Sequence, residues 1–252
     1  MRIIISPAKK MRVDTDSMGC RTDPAFLSSA ERILGVLQGM SDSALQQLWK
    51  CNARIAEVNT ERIRHMDLRR NLTPALLAYE GIQYQYMAPE VFTDREFDYV
   101  QEKLRILSGF YGMLRPFDGI APYRLEMQAA LEVDGCRDLY AFWGDRLAKR
   151  LMEETDCVIN LASKEYSMAV SKHLSANVRF ITCVFAEKKD NGRIAEKGTM
   201  CKMARGEMVR FMAENLVNDP QEIKAFSGLD FRYSLEDSSQ DLFVFIRQPK
   251  KK

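Results

Sequence analysis

Three consecutive isoleucines at the start of the chain, Ile3-Ile4-Ile5, are halted by Ser6-Pro7. An unbroken β-branched run of this length suits a strand covered on both faces, not one with a solvent face. Cys157 to Leu161 reads as a second buried strand and ends at Ala162-Ser163. Helical periodicities fill much of the sequence between and around these strands. The chain therefore reads as α/β (mixed α+β), with a central mixed sheet, flanking helices and two antiparallel hairpins in the C-terminal half. No Pro/Ser/Gly-rich linker, low-complexity tract or fixed-period repeat divides it, so one compact module over residues 1–252 is expected.

The helices are marked by their apolar spacing. Pro24 to Leu37 reads as one, and Ser41 to Met66 as one broken or two adjoining helices, with Leu45, Leu48, Ile55 and Val58 at the apolar positions. Thr73-Pro74 looks like a helix start. Thr93-Asp94-Arg95-Glu96 matches a capping box, and Phe97, Val100, Leu104 and Leu107 then form one stripe that stops at Ser108-Gly109. Asp138 to Glu153 reads as a helix with Gly144 inside it, which suggests close approach by another element, because glycine there costs about 1 kcal/mol relative to alanine. A short helix is expected over Lys164 to Val170 and a longer one over Met200 to Val217. The Met203, Met208, Phe211 and Met212 side chains of the latter read as core filler. Asn191-Gly192 between Val178–Ala186 and Arg193–Thr199 signals a hairpin, and Phe231–Ser234 with Leu242–Arg247 forms a second strand pair.

A net charge of +2 in 252 residues gives no global field that would attract a polyanion, so any such binding must come from local clusters. Clusters occur at Lys9, Lys10 and Arg12, at Arg62, Arg64, Arg69 and Arg70, and in the tail Lys250-Lys251-Lys252. Each alone fits a solvated face. The six cysteines are scattered without a CxxC pair, which suggests a reducing compartment. Two histidines far apart, His65 and His173, argue against a transition-metal site and against a Ser-His-Asp or Cys-His nucleophile. The apolar run at the N-terminus is too short for a signal peptide, and no window reaches membrane-spanning length. A cytoplasmic location, no membrane association and no cofactor are the expectations.

In open α/β sheets ligands bind outside the carboxyl ends of strands, which directs attention to Ser6, Asn160 and Ser163, with Lys9 at the rim. Ser6-Pro7 and Ser163 fit simple turn and cap roles equally well. The run Leu107-Ser108-Gly109-Phe110-Tyr111-Gly112-Met113-Leu114-Arg115-Pro116 places a glycine-rich turn between segments read as helical. It is similar to a helix-hairpin-helix element whose amides hold a DNA phosphate, although its glycines are spaced GxxG and Pro116 leaves little room for a second helix. Arg115 and Arg124 stand near in sequence, and Lys202 and Arg205 lie three apart on one helix face. Phe142-Trp143-Gly144-Asp145 and the run from Pro122 to Met127 mix aromatic and charged groups that can stack bases or hold phosphates. Trp143 also fits a core anchor whose indole bonds Glu126 or Asp145. Catalysis would have to draw on Lys9, Glu126, Asp145 or Tyr166.

Six blocks in order carry a family resemblance: Ile3 to Lys9, LSGFYGMLRP from Leu107, PYRLEM from Pro122, FWGD from Phe142, NLAS-x-EY from Asn160 and K-x-ARG from Lys202. Together they resemble the YaaA family of bacterial peroxide-stress proteins over essentially the whole chain, including the ending at Glu236-Asp237-Ser238-Ser239. Lys10 stands where the family pattern has threonine. The resemblance implies a cytosolic protein that limits peroxide- and iron-dependent damage to DNA. It also implies double-stranded DNA as partner, bound through a basic cleft and a helix-hairpin-helix-like element. Carried over position by position, Gly109, Tyr111, Gly112 and Arg115 match the element, and Lys9, Arg124, Lys202 and Arg205 match the cleft. The polar residues Ser6, Glu126, Asp145, Asn160, Ser163 and Tyr166 would accompany them.

DNA binding without a defined reaction is thus the leading expectation, and protein partners are not indicated. An enzyme acting on a nucleotide or nucleic-acid base in the same cleft is the alternative, with Asn160 or Ser163 positioning substrate and Glu126 or Asp145 moving a proton. Direct iron binding by Glu126, Asp145 and Glu165 is a third, which the ligand inventory disfavours.

Overall fold

The computed structural model describes residues 1–189 and 192–248; Asn191 of the Asn-Gly turn and the basic tail Lys250-Lys251-Lys252 lie outside them. In chain order the elements are β1 (Arg2–Ile5), β2 (Lys10–Met11), α1 (Leu27–Gly39), α2 (Asp42–Trp49), α3 (Ala53–Arg64), β3 (Thr73–Pro74), α4 (Ala75–Ala78), β4 (Tyr79–Glu80), α5 (Ile82–Met87) and α6 (Asp94–Lys103). There follow β5 (Leu104–Ser108), β6 (Gly112–Leu114), β7 (Gly119–Ile120), α7 (Leu139–Trp143), α8 (Arg146–Met152), β8 (Cys157–Leu161) and α9 (Lys164–Ser171). The chain ends with β9 (Arg179–Lys188), β10 (Ile194–Ala195), α10 (Gly198–Glu214), β11 (Phe231–Tyr233) and β12 (Leu242–Arg247).

The main sheet is mixed, in the order β11-β12-β9-β8-β1-β5-β6, with β10 paired to β9. Its five inner strands, β5, β1, β8, β9 and β12, are mutually parallel, while β6, β10 and β11 run antiparallel to their partners. The two C-terminal hairpins are therefore β9–β10 and β11–β12. Renumbered along the chain, the parallel strands have the order 2-1-3-4-5, whose switch point lies between β1 and β8. Ile3, Ile4 and Ile5 are fully buried between β5 and β8, as an uninterrupted β-branched run on a central strand should be. Among the described residues, no helix is long and apolar enough to cross a membrane.

Local chemistry explains where several elements begin and end. Asn52 caps α3 by accepting from the Ile55 amide at 3.0 Å. Thr93 and Glu96 form the capping box of α6, with the Thr93 amide donating to Glu96 at 2.6 Å. That helix stops at Lys103, not at Ser108 as its stripe suggests, because Leu104 to Ser108 pair with β1 as a fully buried strand. The helix read over Asp138 to Glu153 is two helices. Gly144 parts them at φ +51, and a Cβ there would meet nothing closer than 3.7 Å, so this glycine serves backbone geometry and not close approach. Thr73-Pro74 pairs with β7 before a single helical turn. The buried face of α3 is Ala56, Asn59, Thr60 and Ile63, which leaves Ile55 and Val58 exposed. Arg193–Thr199 contributes only Ile194–Ala195 to a strand, since α10 already starts at Gly198.

One polar site in this sheet matters for stability. Arg105 stands on β5 opposite Ile4, and its side chain is only 4% exposed. Glu154 answers its charge at 2.7 Å from Nε, and also receives Arg2 Nε at 3.1 Å and Arg150 Nε at 3.4 Å. Burial raises the Glu154 carboxyl, but Arg105 and Arg2 outweigh it and hold the group below its ordinary 4.5. Glu154→Gln leaves a buried guanidinium without its counter-charge and is expected to cost about 3 kcal/mol near neutral pH. Because the folded carboxyl titrates below the unfolded one, this contribution is complete above the unfolded value and disappears as pH falls through the folded one. Urea titrations of both proteins at neutral and acidic pH check it: their stabilities should converge in acid.

Candidate functional site

A cleft of about 400 Å³ opens at the carboxyl ends of β1 and β8, at the switch point of the sheet. Ser6 follows β1 and Ser163 follows β8; the Ser163 amide donates to Ser6 Oγ at 2.8 Å, and the Ser6 hydroxyl donates to Ser163 Oγ at 3.2 Å. These two hydroxyls tie the strand ends together across the floor. Asn160 lies beneath them, buried, where it accepts from the Ala162 amide at 3.0 Å and donates to Thr182 Oγ1 at 3.3 Å. It shapes the exit of β8 and does not line the cleft.

The walls come from four further segments. The Pro122–Glu126 run brings Tyr123, Arg124 and Glu126; α5 brings Gln83 and Tyr84; α9 brings Glu165 and Tyr166; α10 brings Lys202 and Arg205. Lys9 and Lys10 stand at the rim, each on a carboxylate: Lys9 Nζ is 2.9 Å from Glu126 and Lys10 Nζ is 2.8 Å from Glu80. Lys10, the position where threonine was expected, thus spends its extra charge on Glu80. Five cations line the cleft against the three carboxylates Glu80, Glu126 and Glu165, and local charge exceeds what the net charge of the chain suggests. Behind the wall, Ser108 Oγ, Tyr123 OH and Tyr79 OH form a buried hydroxyl chain with links of 2.6 and 2.8 Å. Tyr84 OH donates to the Ser6 carbonyl at 3.0 Å. Burial pushes Tyr166 far above the ordinary phenol range and Tyr123 up to about 12, so both are neutral donors at physiological pH.

Two guanidiniums on this surface are under-satisfied. Arg124 is 12% exposed and its nearest counter-charge is Glu126 at 3.5 Å; Arg205 is 16% exposed and its nearest is Glu196 at 3.8 Å. The buried Nε of each finds no hydrogen-bond partner in the protein. A buried donor left unmade costs about 1–3 kcal/mol, so this arrangement is retained against stability. Lys202 is exposed and has no ion pair among the described residues.

The glycine turn is a correction to the sequence reading. Gly109, Phe110 and Tyr111 connect β5 to β6 as a β-hairpin, not two helices, and Gly109, Tyr111 and Gly112 are buried. The amides of Phe110 and Tyr111 both donate to Ser108 Oγ, at 3.1 and 2.9 Å, so they are consumed internally and cannot hold a phosphate. Gly109 is small because the Glu126 backbone passes over it, 3.0 Å from where a Cβ would lie. Gly112 has φ +76 and sits against the Trp143 ring. Trp143 itself is a buried core anchor whose indole donates to the Gly109 carbonyl at 3.0 Å, not to Glu126 or Asp145.

Two other residues also fall outside the cleft. Arg115 lines a separate cavity with Arg105, Asp118, Arg150 and Glu154. Asp145 pairs with Lys149 at 2.7 Å as an ordinary i,i+4 bridge. The structure therefore gathers Ser6, Lys9, Arg124, Glu126, Ser163, Tyr166, Lys202 and Arg205, and disperses Asn160, Asp145, Arg115 and the glycine hairpin. Sequence reasoning missed Glu80, Gln83, Tyr84 and Tyr123. Of these only Tyr123, inside the Pro122–Met127 run, carried a signal. No group of three or more His, Cys, Asp or Glu among the described residues is placed to hold a metal ion.

Comparison with known proteins shows the family of the chain. The family described as peroxide stress protein YaaA matches residues 1–237. The chain belongs to that family. A UPF0246 protein of Desulfitobacterium hafniense is 51% identical over 247 residues, covering 98% of both chains. One from Pediococcus pentosaceus is 50% identical with the same coverage, and one from Lactiplantibacillus plantarum is 48% identical over 98% of this chain and all of its own length.

Proposed function

We propose that the protein acts in the peroxide stress response by binding DNA, and that the cleft accepts one phosphate-bearing nucleotide drawn out of the strand. The observation that carries this reading is the pair of buried, unpartnered Nε groups on Arg124 and Arg205. A phosphate beside them gains charge-assisted hydrogen bonds at donors the protein leaves unmade. A volume of about 400 Å³ falls in the range of small-ligand pockets and is far too small for a duplex, so a single extruded nucleotide is the unit that fits.

A second contact for the DNA backbone is available elsewhere. One helix pair joined by a short turn is α2–α3, where Lys50 adopts φ 46 and Asn52 caps the following helix. Its second helix is 12 residues long, its N-terminal amides favour an anion, and Lys50 and Arg54 are exposed beside it. In this reading α2–α3 takes the role that the sequence assigned to the Gly109 turn.

Labelled duplex titrated at about 50 and 200 mM salt tests the reading, because each neutralised phosphate contributes about −0.9 to the log–log slope. Lys50→Ala with Arg54→Ala should flatten the slope by about two contacts. Affinity indifferent to salt would remove the phosphate account. The enzyme reading is favoured by a separate observation, the unequal pairing of the two glutamates in the cleft.

A further inference from the structure

Glu126 and Glu165 share the cleft but are held in opposite ways. Glu126 is paired with two cations, Lys9 Nζ at 2.9 Å and Arg124 at 3.5 Å. Glu165, in the first turn of α9, accepts the Gln128 amide at 3.3 Å and has no ion pair among the described residues. Its neighbours are Tyr166 on the same helix, Tyr140 from α7, whose hydroxyl bonds the Glu165 carbonyl at 2.8 Å, and Glu126 and Lys9 across the cleft. Burial, with the Glu126 charge adding to it, raises the Glu165 carboxyl above its ordinary range against the opposing Gln128 bond and Lys9. One glutamate held by two cations beside one that is half-buried without an ion pair is an asymmetric carboxyl pair of the kind glycosidic hydrolysis uses.

We propose that the cleft hydrolyses the N-glycosidic bond of a purine nucleotide in DNA, with Glu165 as general acid toward the leaving base and Glu126 as the carboxylate facing the sugar; the proposal rests on the DNA-binding reading above. The C1′–N9 bond breaks with its electron pair passing to the base, while the Glu165 proton goes to a purine ring nitrogen. Water oxygen bonds to C1′ and gives its proton to Glu126, so the products are a free purine and an abasic sugar. The proton gained by Glu126 returns to Glu165 through solvent, and no oxidant, reductant or further co-reactant is consumed. Hydrolysis at phosphorus fits less well. An ionised carboxylate repels a phosphate at the reacting centre, whereas it stabilises the cationic sugar of a glycosidic transition state. Lys202 and Arg205 on α10 then serve the nucleotide's phosphate, away from the bond that breaks.

The test uses the full chain with duplexes carrying one 8-oxoguanine, one hypoxanthine, or guanine only. Anisotropy reads binding, mass spectrometry reads free base, and alkali reads abasic sites. Wild type should release base from the 8-oxoguanine duplex. Glu165→Gln and Glu126→Gln, each shown to melt cooperatively, should bind at least as tightly, having lost a negative charge, yet release base about a hundredfold more slowly. Glu165→Asp should recover part of the rate. Wild type that binds all three duplexes and frees no base from any overturns the hydrolase and leaves the binding reading standing. Base release unchanged in both glutamine variants overturns the assignment of roles. Failure of wild type to bind any duplex removes the DNA reading and this proposal with it.

Discussion

Gly206→Ala is expected to destabilise the protein by about 4 kcal/mol or more, and to leave little folded chain at 37 °C. Gly206 lies inside α10, a helix of 17 residues, where alanine normally gains about 1 kcal/mol over glycine. Here the gain is overwhelmed. The backbone of α5 crosses at Gly206 so closely that an added Cβ would meet the Gln83 carbonyl oxygen and lie 2.9 Å from the Met87 amide. Both are main-chain atoms, which cannot rotate away as a flexible side chain would. Overpacking that must move two helices apart belongs among the exceptional losses, against a total stability of about 5–15 kcal/mol. The contact also has a functional consequence. It fixes Arg205 and Lys202 on one side and Gln83 and Tyr84 on the other, so the same substitution opens the cleft. Thermal melts and urea titrations measure the loss. A Gly206→Ala protein as stable as wild type would show that the two helices separate freely, and would undo the rigid-wall picture of the cleft.

The second large effect separates stability from function. Arg124→Ala and Arg205→Ala each remove a buried guanidinium that the fold leaves partly unpaired. Truncation also removes its unmet hydrogen-bonding demand, so the melting temperature should hold or rise. Nucleic-acid affinity should fall about 10- to 100-fold for each, the worth of a charge-assisted bond to phosphate. A residue that served only packing would show the reverse pattern, with lost stability and unchanged binding.

How far the sequence carries this picture depends on the kind of signal each residue leaves. β1 and β8 were legible because runs such as Ile3-Ile4-Ile5 have only one comfortable environment. β5 was hidden because Leu104 and Leu107 continue the helical stripe of Phe97 and Val100, and a short apolar run cannot be assigned by periodicity alone. Pairing with β1 decides it, and that is a long-range fact. Glycines were equally ambiguous. Gly144 looked like a point of close approach and is a conformational break, while the close approach occurs at Gly206. The Gly109 turn was misread as phosphate-binding because its Phe110 and Tyr111 amides are met by Ser108, contacts two and three residues away in sequence but visible only in the fold.

The cleft was legible in part for a physical reason. Residues at strand ends and in charged blocks announce their chemistry, so Ser6, Lys9, Arg124, Glu126, Ser163, Lys202 and Arg205 could be proposed before their meeting was known. Tyr84 and Gln83 could not, because they sit on a six-residue helix with no distinguishing pattern. Arg115 and Asp145 were drawn in by proximity along the chain, which the fold does not preserve. The unequal environments of Glu126 and Glu165 have no sequence signature, since they depend on Lys9 reaching one carboxylate and not pairing with the other.

Fluorescence anisotropy of a labelled duplex, with wild type and an Arg124→Ala, Arg205→Ala double variant of matched melting temperature, tests the central claim most directly. At about 100 mM salt the double variant should bind at least a hundredfold more weakly, and its salt slope should be shallower by about two phosphate contacts. Equal affinity and equal slope for the two proteins would contradict the account and place the nucleic-acid contact outside the cleft.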